Sequence, residues 1–266
     1  MRTRWIVLAA IMVAACVITA MLKPVPQPDW YHNFADARTF VGVPRAVDVL
    51  SNIPFLAVGL AGLYSTLRNR TQSLEQRWAL AVLFVGLFLT GFGSGYYHLA
   101  PDNQRLEWDR LPMTLAMAGI LAFLVANRLR SMPWWILPVL VIVGVGSVVE
   151  WAWSERVGMG DLRWYGLYQA LTFIVATALV VMFPAPGEPV KALVFALGAN
   201  VAAKLFELLD KQIFAIGGVV SGHTLKHLAA ALGFIPLIMW LARLDPAADD
   251  RRLRTQRGQA TRTLAS

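Results

Sequence analysis

Five residues have the types and spacing to do chemistry together: Ser94, His98, Asp109, His223 and His227. The 266-residue chain has only four histidines, and three of them stand at the ends of long apolar runs. His223 and His227 are spaced i, i+4, which puts both rings on one face of a helix. Ser94 and His98 repeat that spacing, and Asp109 opens the next apolar run. An ionisable group in hydrocarbon is costly without a partner, so such residues point to function. Three neutral imidazoles with a fourth position left for water form a catalytic zinc set, the nitrogens roughly 2.0–2.1 Å from the metal. Zinc held so lowers the pKa of water from about 15.7 towards about 7 and polarises a carbonyl. Asp109 would orient that water or take its proton, and Ser94 would donate to a developing oxyanion. Each piece alone has a bland reading. A Ser-x-x-x-His pair is common, and a lone histidine at a membrane surface is usually only hydrogen-bonded and wet. The combination carries the metal reading.

The elements that must position these residues are membrane helices. The chain is 57% hydrophobic with a mean hydropathy of +0.55, and only 15% is charged, against roughly 25% in soluble domains. Runs near 5–22, 48–67, 78–99, 111–127, 133–150, 164–183, 190–208 and 221–242 approach the length a spanning helix needs. The ten tryptophans fall at or near their ends, as interfacial aromatic belts require. With the N-terminus inside, inward segments carry fourteen Lys and Arg and outward segments eight, Arg110 among them. That bias predicts cytoplasmic termini. All five residues then reach one depth of the outer leaflet. The net charge of +8 is accounted for by this asymmetry and gives no reason to expect a nucleic-acid partner.

Four segments are expected. Residues 1–22 form a signal anchor or an extra transmembrane helix, the apolar run continuing to Leu22 past a faint cleavage pattern at Cys16, the only cysteine. Residues 23–47 form an outward segment whose Pro24, Pro26 and Pro28 hold it extended. Residues 48–242 hold seven spans, and 243–266 form a basic tail suited to anionic lipid headgroups. His32 reads as an interfacial residue, Lys204 and Glu207 as an i, i+3 pair, and Lys226 as pointing away from the histidine face. Asn52 either supports the site or caps a helix.

With Ser94-Gly95-Tyr96-Tyr97-His98, then Asp109, then His223-Thr224-Leu225-Lys226-His227, the chain resembles the alkaline ceramidases. These belong to a superfamily of seven-helix membrane hydrolases that includes adiponectin receptors and hemolysin III-like proteins. Ser51-Asn52 and Asp29-Trp30 look like the same pattern, and the likeness spans about residues 29 to 242. It implies an all-α polytopic fold, zinc on His98, His223 and His227, and amide hydrolysis served by Asp109 and Ser94. It also implies a membrane lipid substrate, ceramide or a related N-acyl lipid, cleaved to a fatty acid and an amine. The family's calcium pattern is altered: His32, Phe34 and Arg45 stand where acidic or amide residues are expected. Asp29, Trp30, Asp36, Asp48 and Asn52 remain for calcium or for supporting the site. Tyr31 to Asp36 looks more like bacterial members, which implies the inner membrane of a bacterium. Two other readings stay open: a hemolysin III-like or receptor-like relative with another substrate, and a non-enzymatic metal sensor or transporter.

Overall fold

The computed structural model describes residues 2–69, 71–129 and 131–244, and among these every regular element is helical. Eleven α-helices follow in order: α1 (Arg2–Met21), α2 (Ala46–Leu50), α3 (Ile53–Arg68), α4 (Leu74–Leu99), α5 (Asn103–Ala126), α6 (Ile136–Arg156), α7 (Arg163–Met182), α8 (Val190–Leu208), α9 (Asp210–Gly217), α10 (Gly222–Leu232) and α11 (Ile235–Arg243). Among the described residues seven spans are long and apolar enough to cross a membrane, with α2–α3 and α10–α11 each making one, and the bent pair α8–α9 makes an eighth if it is one span. This is a polytopic all-α membrane protein. The expected span at 190–208 is present as α8, but Lys191, Lys204 and Glu207 interrupt its apolar character, and it bends by 73° into α9. The expected basic tail lies beyond the described residues from 245 onward.

The helices close a ring. α4 lies between α3 and α5, α5 packs on α6 and α7, α7 meets α8, and α10 and α11 lie against both α8 and α3. The core runs through Leu80, Leu83, Phe84, Ala122, Phe123 and Leu237, all with under 1% exposure. Because lipid tails are as apolar as these side chains, what holds them is close van der Waals packing between helices, not transfer from water. α1 stands outside the ring against α7, where Trp5 stacks on Phe183 at 4.2 Å and Arg163 of α7 caps carbonyls of Thr19 and Leu22.

Prolines break three helices at useful places. Pro54 lacks the N–H that would continue the ladder from α2, so Ser51 and Asn52 sit at a break before α3. Pro236 does the same between α10 and α11. Pro112 lies inside α5 and leaves the carbonyl of Trp108 without its helical donor. That carbonyl faces Gly93 of α4 so closely that a Cβ there would overlap it. Gly93 precedes Ser94 and Trp108 precedes Asp109, so this backbone approach is what brings Ser94 towards Asp109. Gly93→Ala is expected to pry α4 from α5 and destabilise the protein by about 1–3 kcal/mol, as overpacking does. Thermal unfolding of the detergent-solubilised variant measures it, and an unshifted midpoint would contradict the tight contact.

Three expectations are corrected. α5 starts at Asn103, capped by the Asp102 side chain accepting from Arg105 N at 2.7 Å, so Asp109 lies well inside the helix and does not open it. α6 runs on to Arg156 and buries Trp151 completely, so this tryptophan belongs to no interfacial belt. Its partner is Arg110, which was counted as an outward loop charge but is 4% exposed, its guanidinium 4.1 Å from the Trp151 ring and 4.8 Å from Tyr165. Cation–π contact with two aromatic faces lets the helix interior hold this charge.

A candidate metal centre

His98 comes from the last turn of α4, and His223 and His227 from consecutive turns of α10. All three are buried, at 0%, 3% and 3% exposure. One ring nitrogen of each lies within 4.8 Å of the others, and among the described residues this is the one group of three or more His, Cys, Asp or Glu that converges so. His98 Nε2 and His223 Nε2 are 3.2 Å apart. Two ligands on a tetrahedral zinc at the usual bond length would stand about 3.3 Å apart. His98 Nδ1 is buried and has no hydrogen-bond partner among the described residues. A buried triad of neutral donors facing a common point can hold a metal ion, and the donor set suits zinc.

Close backbone approach aims the α10 pair. Gly222 lies against the Phe206 carbonyl and Asp210 with no room for a Cβ. The next residue, His223, donates its backbone N–H to Asp210 Oδ1 at 2.8 Å. Ser221 caps α10, accepting from Thr224 N at 3.0 Å. Asp48 then ties this cap to α2: its Oδ1 accepts from Thr224 Oγ1 at 2.7 Å and Ser221 Oγ at 3.2 Å. His227 is fixed at its far nitrogen, where Nδ1 lies 2.7 Å from Ser51 Oγ. Ser94 is one turn before His98 on the buried face of α4, and its side chain is a neighbour of the Asp109 carboxylate. Both side chains are buried, at 2% and 8% exposure.

The segment before α2 folds over the centre as a strap. Pro28 is extended, and a short 3-10 turn runs through Asp29–His32. His32 bridges Tyr97 Oη and Asn103 Oδ1, each at 2.9 Å, so it joins the strap to α4 and α5 and is not one of the converging ligands. Phe34 lies over the metal triad, its ring centroid 4.7 Å from His98 and 4.3 Å from His223. Asp210 Oδ2 holds the strap down by accepting from Ala35 N at 2.8 Å. Asp36 is buried against Arg38 at 2.6 Å, and hydrogen bonds from the Arg38 side chain hold its carboxyl below the usual carboxylate range. Tyr31 is pushed above the ordinary phenol value, chiefly by burial.

Among the described residues, those set aside for calcium form no group of three converging acidic or histidine ligands. Asp36 is engaged by Arg38, Asp48 Oδ1 accepts from Ser221 and Thr224 while Asp48 Oδ2 and Asn52 Oδ1 are buried without a partner, and Trp30 is 72% exposed. Asn52 is buried, its Nδ2 donating to the Asp48 carbonyl at 2.8 Å, so it braces the α2–α3 break. Lys204 and Glu207 pair as expected. Lys226 is drawn into the same cluster, 2.5 Å from Glu207 Oε1. Sequence reasoning missed Ser51, Phe34 and Asp210 as parts of the site. Ser51 had a signal, a hydroxyl three residues before a helix-breaking proline; Phe34 and Asp210 had none, since each acts across a long loop of chain.

Fold and site define a polytopic helical membrane protein with a buried three-histidine centre and an adjoining carboxylate–hydroxyl pair. The comparisons agree with that class. The ceramidase family model matches residues 43–261, most of the chain, and all five chemically suited residues fall inside it. The chain belongs to the ceramidase family. A search of curated proteins finds no match.

Proposed function

We propose that this protein is a zinc-dependent amidase of the membrane that hydrolyses the amide bond of ceramide or a related N-acyl lipid. The buried triad His98, His223 and His227, beside the Asp109–Ser94 pair in a ceramidase-family chain, carries this reading. Those three histidines would hold the metal. Zinc bound there supplies a Lewis acid that activates water and polarises the amide carbonyl. Asp109 accepts the proton of the attacking water on its carboxylate and passes it to the departing amine nitrogen. Ser94 Oγ, beside that carboxylate, gives its one hydrogen to the carbonyl oxygen as charge develops there, after Asp109 has taken up the proton of the water. Water adds to the carbonyl carbon, the C–N bond breaks, and a fatty acid and an amine leave. Phe34 keeps bulk water off the histidine face, and the strap holds it there.

Entry from the bilayer fits a site set between apolar helices. Each buried methylene of an acyl chain contributes about 0.8 kcal/mol, so water-soluble amides should be poor substrates. The charge asymmetry supports cytoplasmic termini with the centre near the outer face of a bacterial inner membrane.

The assay is release of labelled fatty acid from ceramide and from other N-acyl lipids, with the His98→Ala protein as blank. Release above the blank is expected. Cleavage confined to an N-acyl lipid other than ceramide would keep the amidase and discard the ceramidase. No release from any amide lipid by folded, zinc-loaded protein would favour a metal sensor or transporter.

A further inference from the structure

We propose that Ser51 is a positioning residue that sets the tautomer of His227 and so presents Nε2 of that ring as a ready metal donor. The inference rests on the zinc reading above. Its physical basis is a count of protons. A serine hydroxyl has one hydrogen to donate and lone pairs to accept with. Ser51 Oγ lies 2.7 Å from the backbone carbonyl of Asp48 and 2.7 Å from His227 Nδ1. The carbonyl can only accept, so the hydroxyl hydrogen goes to it. The contact with His227 must then run the other way, Nδ1–H donating to Ser51 Oγ. In a neutral imidazole this leaves Nε2 as the lone-pair nitrogen.

The support behind Ser51 is built into the fold. Ser51 sits at the break Pro54 makes between α2 and α3, and there its hydroxyl reaches the Asp48 carbonyl. Both Ser51 and His227 are buried, so no exposed water competes for the bond. The side chain of the same Asp48 anchors the α10 cap through Ser221 and Thr224. One residue thus ties α2 to α10 by its carboxylate and orients the serine by its carbonyl. His98 differs, because its buried Nδ1 has no partner among the described residues. Of the pair His98 and His227, only the latter has a ring direction and tautomer set by the protein before a metal arrives.

Partners of this kind, hydrogen-bonded to a ligating histidine, typically matter 10–100-fold in metal affinity. Ser51→Ala in the full chain should weaken zinc binding by about that factor in competition with a chromophoric chelator. Ser51→Thr, which keeps the hydroxyl, should bind as the wild type does. The metal-free melting temperature, measured alongside, should fall modestly in Ser51→Ala, which leaves the buried His227 Nδ1–H without its partner, and stay near the wild-type value in Ser51→Thr. Equal zinc affinity for Ser51→Ala and wild type, or a loss that Ser51→Thr fails to rescue, would overturn the proposal. Should the alanine variant not fold, nitrogen NMR of metal-free wild type labelled at histidine reads the tautomer directly, with His227→Asn to assign the signal. An Nδ1-protonated His227 is expected, and an Nε2-protonated ring would overturn the role given to Ser51. A wild type that binds no zinc would instead defeat the amidase reading, while the NMR result would still stand for or against Ser51.

Discussion

Changing His223 and His227 together to alanine is expected to take bound zinc from about one per chain to none while the protein remains folded. A three-nitrogen cage loses two of its three donors, and His98 alone cannot retain a metal against water. Both rings sit on the single face of α10 that meets α4. The helix itself is held by the Ser221 cap, by Asp48 and by Asp210, none of which the substitutions touch. Elemental analysis of purified protein, paired with a melting curve, reads both halves of the expectation. Zinc retained by a folded double variant would place the metal elsewhere and remove the centre. Fatty-acid release should fall to the level of the His98→Ala blank in the same preparation.

Asp109→Asn and Ser94→Ala should give the complementary result, with zinc kept and turnover lost. Neither side chain is among the three converging ligands. An amide at 109 preserves shape but cannot accept a proton, which removes a contribution of about 10²–10⁴ in rate. Loss of the Ser94 hydroxyl removes one oxyanion donor, worth about 10²–10³ in kcat. Because the two groups are neighbours and act on one reaction, their effects should combine to less than the product of the single losses. Normal turnover in both variants would leave the metal centre standing and defeat the mechanism. Zinc lost along with activity would instead make Asp109 a ligand.

The candidate site residues were legible in the chain because rarity and spacing announce them. Three histidines at the ends of apolar runs cannot be accidental packing where a charge is costly, and helical periodicity alone places His223 beside His227. Apolar run lengths placed α8 to the residue and the end of α4 at Leu99, though α4 begins four residues earlier than the run near 78–99, since a bilayer demands that length whatever the neighbours are. Where the chain is punctuated by polar residues that a helix can still accommodate, the pattern misled. Asn103 to Arg110 read as a loop because of its charges, but Asp102 caps a helix there and Arg110 is buried on aromatic rings. Trp151 read as interfacial because tryptophan favours that boundary, and only the neighbouring Arg110 makes it a core residue.

What sequence could not supply is everything that depends on two distant segments touching. The strap residue Phe34 over His98 and His223, Asp210 holding both the strap and the start of α10, and Asp48 tying α2 to that same start join positions far apart in the chain. No periodicity records such a pairing. It follows from where a proline opens a helix and where a glycine lets two backbones close. Gly93 and Gly222 show the division well. Each reads in sequence as an unremarked small residue in a helix, yet each admits the backbone contact that aims the functional residue beside it. Which residues could hold a metal was therefore set by residue type and spacing, and the direction of their side chains by close packing that only the folded chain contains.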